Sequence, residues 1–371
     1  MISTEPNLGQ PIIASGRRRL LGTGIALPGL AINSGELCEL ISQRFGIKTA
    51  RHGNILAPRL GVHTRHLCRD FFQAREAPRA GARNPELAAL AVKRAVEDAG
   101  LQPQNLSYLI SHTATPSTLL PAGSAEISRL LGFSGPHAEL RQACTGFANA
   151  LQFAFALTAT PDAAPVAIVG VETGSVYFDP GCLQTDTSQW INFLQMGDGA
   201  AAVIIGPDRP EESDVQRNNV AHWISAAYFG QVQTPPSSGL TLRSGGSDYT
   251  TPPNGTLLFE HDFNGVAEHG ALLLEAGKTL MEQAGYDLAT ASFIVPHQAS
   301  GAVAPWLAER WNYPVEKISN HAQRVGNLGS ASIWAALHDY RRSSHVGLSG
   351  LALFLGAEAT QYSFGGFALE T

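Results

Sequence analysis

A chain of 371 residues exceeds what one hydrophobic core usually supports, so two domains, or two halves around one large core, are expected. Apolar residues at 44%, charged residues at only 15% and 38 glycines exclude a disordered or fibrous chain and suit a well-buried α/β protein. The net charge of −6 is spread along the sequence, which excludes the basic stripe of a nucleic-acid binder, and no apolar run reaches the roughly 18 residues of a membrane span.

The N-terminus lacks the charged-then-apolar order of a signal peptide, so a cytoplasmic protein with no membrane association is expected. Residues 1–17 are polar and rich in Pro and Gly and read as a loose extension. Arg17-Arg18-Arg19 stands before the first apolar strand, at 20–25, and reads as a solvated or strand-capping charge. Residues 53–84 lack clean periodicity and read as an irregular excursion. Asn84-Pro85, a capping residue followed by a proline at the first helical position, opens a helix that stops near Gly100. A strand at 106–112, a helix at 124–131 and a strand entering Arg141-Gln142-Ala143-Cys144 follow. Apolar strands at 166–171 and 200–205 lead to a polar stretch, 206–219, the natural join between an N-terminal half (18–210) and a C-terminal half (211–371). The second half repeats the grammar, with a strand at 224–229, a Gly- and Thr-rich insertion, a helix at 264–284 and a strand at 293–295. Helices at 300–311 and 330–340 and strands at 351–355 and 364–369 complete it. Such alternation favours a layered α/β architecture.

Four widely spaced cysteines, Cys38, Cys68, Cys144 and Cys182, show no CxxC pair and suggest neither a metal site nor a disulfide framework. Cys144 differs from the others because it stands immediately before a helix with apolar positions Phe147, Ala150, Leu151, Ala154 and Phe155. The positive end of that helix favours thiolate over thiol, so a lowered thiol pKa and a nucleophilic role are expected, with the Cys144 amide as one donor to an oxyanion. His297, in Val295-Pro296-His297-Gln298-Ala299-Ser300, lies at the carboxyl end of a strand, where ligand crevices of α/β proteins form. Asn327 lies in Arg324-Val325-Gly326-Asn327-Leu328-Gly329-Ser330. Alone, such a histidine is more often structural, and such an asparagine more often a turn.

Taken in order, Ala-Cys-x-Gly-Phe, Pro-His-Gln-Ala and Gly-Asn followed by Ser-Ala-Ser, with 153 residues from 144 to 297 and 30 from 297 to 327, resemble the triad of β-ketoacyl-acyl-carrier-protein synthase III. Leu21-Gly22-Thr23-Gly24 and Met196-Gly197-Asp198-Gly199-Ala200 extend the resemblance over nearly the whole chain. It implies a thiolase fold, five αβαβα layers built from two similar halves, in a homodimer. It also implies that Cys144 takes an acyl group from an acyl-CoA or acyl-carrier-protein thioester. His297 and Asn327 then stabilise the enolate left when a malonyl-type thioester loses carbon dioxide, and the enolate attacks the acyl-cysteine. No cofactor and no metal is implied. By the same resemblance, backbone N–H groups of Cys144 and Ala357 form the oxyanion hole, and Arg59, Leu120 and Phe147 contact substrate.

The sequence also departs from that pattern. Gly356-Ala357-Glu358-Ala359 replaces a run of glycines and brings in Glu358, read as an extra acid or base or as a solvent-facing loop acid. Of the Trp and two Arg that grip CoA in such enzymes, only Arg59 has a counterpart, since the other two positions fall near Asn54 or Ile55 and near 176–178. These departures keep open an alternative, a ketosynthase-like acyltransferase or non-decarboxylative condensing enzyme using the same acyl-cysteine.

Overall fold

The computed structural model describes residues 9–72, 78–209, 221–233, 238–243, 246–247, 258–343 and 350–371. The first half contains β1 (Ile12–Ile13), β2 (Arg17–Ala26), β3 (Ile32–Asn33), α1 (Ser34–Phe45), α2 (Ala50–Leu60), β4 (Thr64–Arg65), α3 (Asn84–Asp98), β5 (Tyr108–His112) and α4 (Gly123–Leu131). It continues through β6 (His137–Leu140), α5 (Gly146–Leu157), β7 (Val166–Glu172), α6 (Trp190–Gln195) and β8 (Gly199–Gly206). The second half contains β9 (Trp223–Gln231), β10 (Leu240–Arg243), β11 (Leu258–His261), α7 (Phe263–Gln283), β12 (Ala291–Pro296) and α8 (Val303–Trp311). It ends with α9 (Ala322–Val325), α10 (Ser332–Arg342), β13 (Leu351–Glu358) and β14 (Ser363–Glu370).

Strands run in the order β12-β13-β14-β9-β2-β8-β7-β5-β6, with β1 beside β9. Among the described residues the two half-sheets meet where Arg17, Arg18 and Arg19 of β2 pair with Ser225, Ile224 and Trp223 of β9, beside the short β1–β9 pairing. Side-chain alternation along the strands explains how they stack. In β8, Ala201, Val203 and Ile205 face a central core, whereas Ala200, Ala202 and Ile204 face an outer one, and β7 divides its residues in the same way. A strand covered on both faces reads as a continuous apolar run, which is why the sequence shows no polar alternation there. Across the central core, β13 and β14 contribute Phe354 and Phe367, stacked at 4.5 Å, and turn Leu353 and Phe364 to the opposite face. Helices α5 and α10 fill the space between the half-sheets, α3 and α4 cover one outer face, and α7 and α8 cover the other. The result is αβαβα, as the family resemblance implied. Each large apolar side chain buried here contributes roughly 1.5–3 kcal/mol before entropy is counted.

Helix α3 lies so close to β2 that a Cβ at Gly22 or Gly24 would stand 2.3 Å from the carbonyl oxygen of Ala95 or Ala91. Gly24→Ala is therefore expected to destabilise the fold by about 1–3 kcal/mol by pushing α3 off the sheet. A thermal unfolding midpoint equal to wild type would contradict this packing.

Three readings of the sequence change. Arg18 is not solvated: it is buried, its guanidinium lies 4.8 Å from the Phe155 ring, and Nη2 donates to the Phe155 carbonyl at 2.6 Å. The irregular excursion begins with a regular helix, α2, which Gly53 and Pro58 disguise. Gly53 is required because a Cβ there would meet Cys38 Sγ at 2.7 Å and the Trp190 ring at 3.0 Å. The strand leading to Cys144 stops at Leu140, where its parallel pairing with β5 ends, and 141–145 form a turn instead. Ile12 and Ile13 of the N-terminal extension pair with Phe229 and Tyr228, whereas residues 1–8 and most of the join, 210–220, lie outside the described residues. No described helix is long and apolar enough to cross a membrane.

Candidate active site

One cavity of about 570 Å³ opens where β7, β12 and β13 end and α5 begins. Cys144, His297, Asn327, Ala357 and Glu358 all line it, so residues from 144 to 358 in the sequence meet at one cavity. Most of the remaining lining is apolar, including Leu60, Phe178, Leu240, Phe263, Leu274 and Trp306. Among the described lining residues there are two carboxylates, Glu172 and Glu358, and no lysine or arginine.

Cys144 sits in the turn between β6 and α5. Two features hold this elbow. The amide of Gly146 donates to the Ala143 carbonyl at 3.0 Å, and Gly146 leaves space for the buried His112, whose ring a Cβ would meet at 2.6 Å. The expected lowering of the thiol pKa is reversed. Burial above all, then Glu358 and Glu172, push the Cys144 thiol well above its ordinary range, and its own amide N–H opposes this only weakly. Cys38 and Cys182 belong to the small cluster around α1 and α2, and burial raises them to about 11 and about 12.

His297 follows the last residue of β12. Gln298 braces this turn, donating from Nε2 to the Pro296 carbonyl at 2.7 Å and accepting the Ala322 amide at 3.1 Å. Burial lowers the His297 pKa to about 4, so the imidazole is neutral at physiological pH, and its buried Nδ1 has no hydrogen-bond partner among the described residues. Asn327 is fixed from both sides. Its amide N–H donates to the Gln195 carbonyl at 2.8 Å, and its carbonyl accepts from Gly197 at 3.0 Å. Only glycine fits at 197, where a Cβ would lie 2.0 Å from the Val325 carbonyl oxygen. Asn327 Oδ1 accepts the Gly329 amide at 2.9 Å and the Ser332 hydroxyl at 3.1 Å. With Oδ1 so engaged, the NH₂ group is the donor left for a ligand.

Two acids organise the surroundings. Glu172, the last residue of β7, accepts the Ala114 amide at 2.9 Å and the hydroxyls of Thr115 and Ser330, tying the Asn327 loop to the first half. Burial raises its pKa, and these donors oppose the rise. Its role was not read from the sequence, although a glutamate closing an otherwise apolar strand was the visible signal. Glu358 is buried at the end of β13 and does not turn to solvent. Its Oε2 accepts the Thr145 amide at 2.8 Å and the Thr145 hydroxyl at 2.7 Å, and Oε1 accepts from Thr360.

His261, also unforeseen, lines the cavity from the end of β11. Asn192 donates through Nδ2 to Gln189 at 3.0 Å, so its Oδ1 accepts from His261 Nδ1 at 3.0 Å. Burial lowers this imidazole to about 4, which leaves a neutral ring with Nε2 as an acceptor.

The remaining nominated residues are not brought into the cavity. Phe147 faces the central core instead, edge-on to Trp334 at 5.5 Å and Phe367 at 6.2 Å, because the first turn of α5 points it inward. Arg59 lies on the exposed face of α2, beside Leu60, which does line the cavity. Leu120 is 87% exposed and outside the cavity of its own chain. At 176–178, where the resemblance places the second CoA-gripping arginine, the buried Phe178 lines the cavity instead. Among the described residues no group of three His, Cys, Asp or Glu is placed to hold a metal ion.

The chain is similar to a number of known proteins. The family model for 3-oxoacyl-[acyl-carrier-protein] synthase III matches residues 138–221, and the model for the C-terminal part of the same family matches 281–370. The β-ketoacyl-[acyl-carrier-protein] synthase III of Cereibacter sphaeroides is 28% identical over 321 residues, covering 85% of this chain and 87% of its own. That of Ruegeria pomeroyi is 26% identical, covering 75% and 78%. Among solved structures, the tetronic acid condensing enzyme AbyA1 superposes with a TM-score of 0.80 at 22% identity, over 95% of this chain and 100% of its own. A priming β-ketosynthase from a polyketide biosynthetic pathway gives 0.73 at 26% identity, over 95% and 96%.

Proposed function

We propose that this chain, a β-ketoacyl-acyl-carrier-protein synthase III-like condensing enzyme of the thiolase fold, forms a carbon–carbon bond by decarboxylative Claisen condensation. The observation that carries the reading is that Cys144, His297 and Asn327 line one cavity, with the Asn327 Oδ1 engaged so that its NH₂ is left to donate. The halves 18–210 and 211–371 contribute the nucleophile and the two enolate donors respectively.

In the first half-reaction Cys144 Sγ attacks an acyl thioester, the thiol proton passes to neutral His297, and the departing thiolate takes that proton up. Splitting the reaction through an acyl-enzyme replaces one difficult step by two easier ones. In the second, a malonyl-type thioester loses carbon dioxide, and the electron pair of the breaking C–C bond becomes an enolate. His297 and the Asn327 NH₂ hold its oxygen. With no lysine or arginine among the described lining residues, the substrate carboxylate finds no cationic partner there, which disfavours its retention. The enolate carbon attacks the acyl-cysteine, the C–S bond breaks, the leaving Cys144 sulfur takes up a proton from solvent to restore the thiol, and the Cys144 and Ala357 amides serve the passing oxyanion. No cofactor takes part. Acyl-CoA or acyl carrier protein delivers the substrates, a homodimer places Leu120 against the partner subunit's acyl pocket, and the product belongs to fatty-acid-like or polyketide-type biosynthesis. The reading is tested with a malonyl thioester labelled in the free carboxyl: labelled carbon dioxide should appear mole for mole with β-ketoacyl product, and label retained in the product would reject decarboxylation.

A second reading, acyl transfer to oxygen or nitrogen, is favoured by one observation, the acceptor His261 Nε2 in an otherwise apolar region. Under either reading His261 serves the incoming second substrate. His261→Phe, which keeps volume and removes the acceptor, is expected to raise KM for that substrate about 5- to 30-fold with kcat little changed. An unchanged KM would exclude the contact.

A further inference from the structure

Glu358 is the last residue of β13, yet its carboxylate reaches the first turn of α5, 213 residues away in sequence. It accepts the N–H of Thr145, the residue directly after Cys144, at 2.8 Å. Thr145 is the N-cap of α5 but makes no capping bond with its own side chain. Its hydroxyl instead donates to Glu358 at 2.7 Å and accepts from Gln142 Nε2 at 3.0 Å. Glu358 is 2% exposed and Thr145 is fully buried, so this contact is a fixed internal feature. The first-turn N–H groups and the positive helix end are what would stabilise a thiolate at Cys144. The side-chain carboxyl group of Glu358 already occupies that place.

We propose that Glu358 is a positioning residue: an internal anion seated on the N-terminus of α5 that keeps Cys144 a neutral thiol in the resting enzyme and makes acyl transfer depend on His297 receiving the thiol proton. This deepens the reading of Cys144 as nucleophile and rests on it. The ionisable groups that line the cavity with Cys144 are Glu358 from β13, Glu172 from β7, neutral His297 after β12, neutral His261 from β11 and Tyr362, with no lysine or arginine among the described lining residues. The direction in which burial, Glu358 and Glu172 move the thiol agrees with the geometry. It also gives a use to the acid that replaces a glycine run: an unloaded cysteine held as thiol resists oxidation and stray electrophiles, since the thiolate is the reactive form.

The test is the pH profile of Cys144 alkylation by iodoacetamide, followed by intact mass in wild type, Glu358→Gln and Glu358→Asp. Wild type should react slowly at pH 7 and accelerate only above about pH 9, beyond an ordinary thiol. Glu358→Gln, which removes the charge, should react at least about tenfold faster at pH 7, its profile moving down by one unit or more. Glu358→Asp, which keeps the charge, should stay near wild type. A wild-type Cys144 that already reacts at pH 7 like an activated thiolate overturns the proposal without any variant. So does Glu358→Gln that matches wild type, and so does an equal rise in both variants, which would mean a loosened loop. Acyl loading is measured separately, so a Cys144 that alkylates as expected but never carries an acyl group would reject the nucleophile reading and leave the role of Glu358 standing.

Discussion

Cys144→Ala is expected to abolish acyl loading and to lower condensation by at least about 10³- to 10⁴-fold, whichever thioester is supplied. No other thiol can substitute. Cys38 and Cys68 are buried, and Cys182 donates its S–H to the Asp179 carbonyl at 2.9 Å. Because Cys144 borders a cavity and its thiol donates to no neighbour among the described residues, the alanine variant should keep its unfolding midpoint, with a change within about 1 kcal/mol. The control is informative: Cys38→Ala and Cys182→Ala should turn over at the wild-type rate. Steady-state assays of the three variants beside thermal melts decide the matter, and a Cys144→Ala enzyme with substantial turnover would end the acyl-cysteine account.

Asn327→Ala should separate the two half-reactions. Loading needs the Cys144 thiol and a proton acceptor, neither of which Asn327 supplies, so acylation should stay within a few fold of wild type. Loss of carbon dioxide needs a neutral donor at the enolate oxygen, and removing one such donor costs about 10²- to 10³-fold. Alanine also frees the Gly329 amide and the Ser332 hydroxyl that Oδ1 accepts, so some loss could come from a displaced loop. Asn327→Asp resolves this. It keeps an acceptor for both groups but replaces the NH₂ with an acceptor oxygen, and it should decarboxylate as poorly as the alanine variant. Recovery of decarboxylation in Asn327→Asp would mean that Asn327 only holds the loop. Equal loss of acylation in both variants would mean that it serves the first step.

The elements that build the site were largely legible because their signals are local. Asn84-Pro85 marks a helix start, although Arg83 rather than Asn84 occupies the cap position, 166–171 and 200–205 mark buried strands, Cys144 stands just before α5 and His297 just after β12. Helix α1 carried a readable signal that went unused, Asn33 and Glu36 forming a capping box with bonds of 2.8 and 3.2 Å. What the sequence did not show is contact between distant segments. That Glu172 ties the Ser330 loop to β7, and that Glu358 reaches the Thr145 amide, depends on how the two half-sheets face each other across α5 and α10. Phe147 was misplaced for a related reason: adjacency to Cys144 says nothing about which way the first helical turn points. The thiol shift was reversed because the helix end was legible and the acid seated on it was not.

The most direct test of the central claim is intact mass of the purified protein after incubation with a panel of acyl-CoA and acyl-carrier-protein thioesters, followed by a malonyl thioester. The account predicts a single acyl adduct on Cys144, discharged by the malonyl thioester with release of carbon dioxide and a β-ketoacyl product. An adduct that persists with malonyl thioester and is discharged only by an alcohol or amine, or no adduct with any donor, would contradict it.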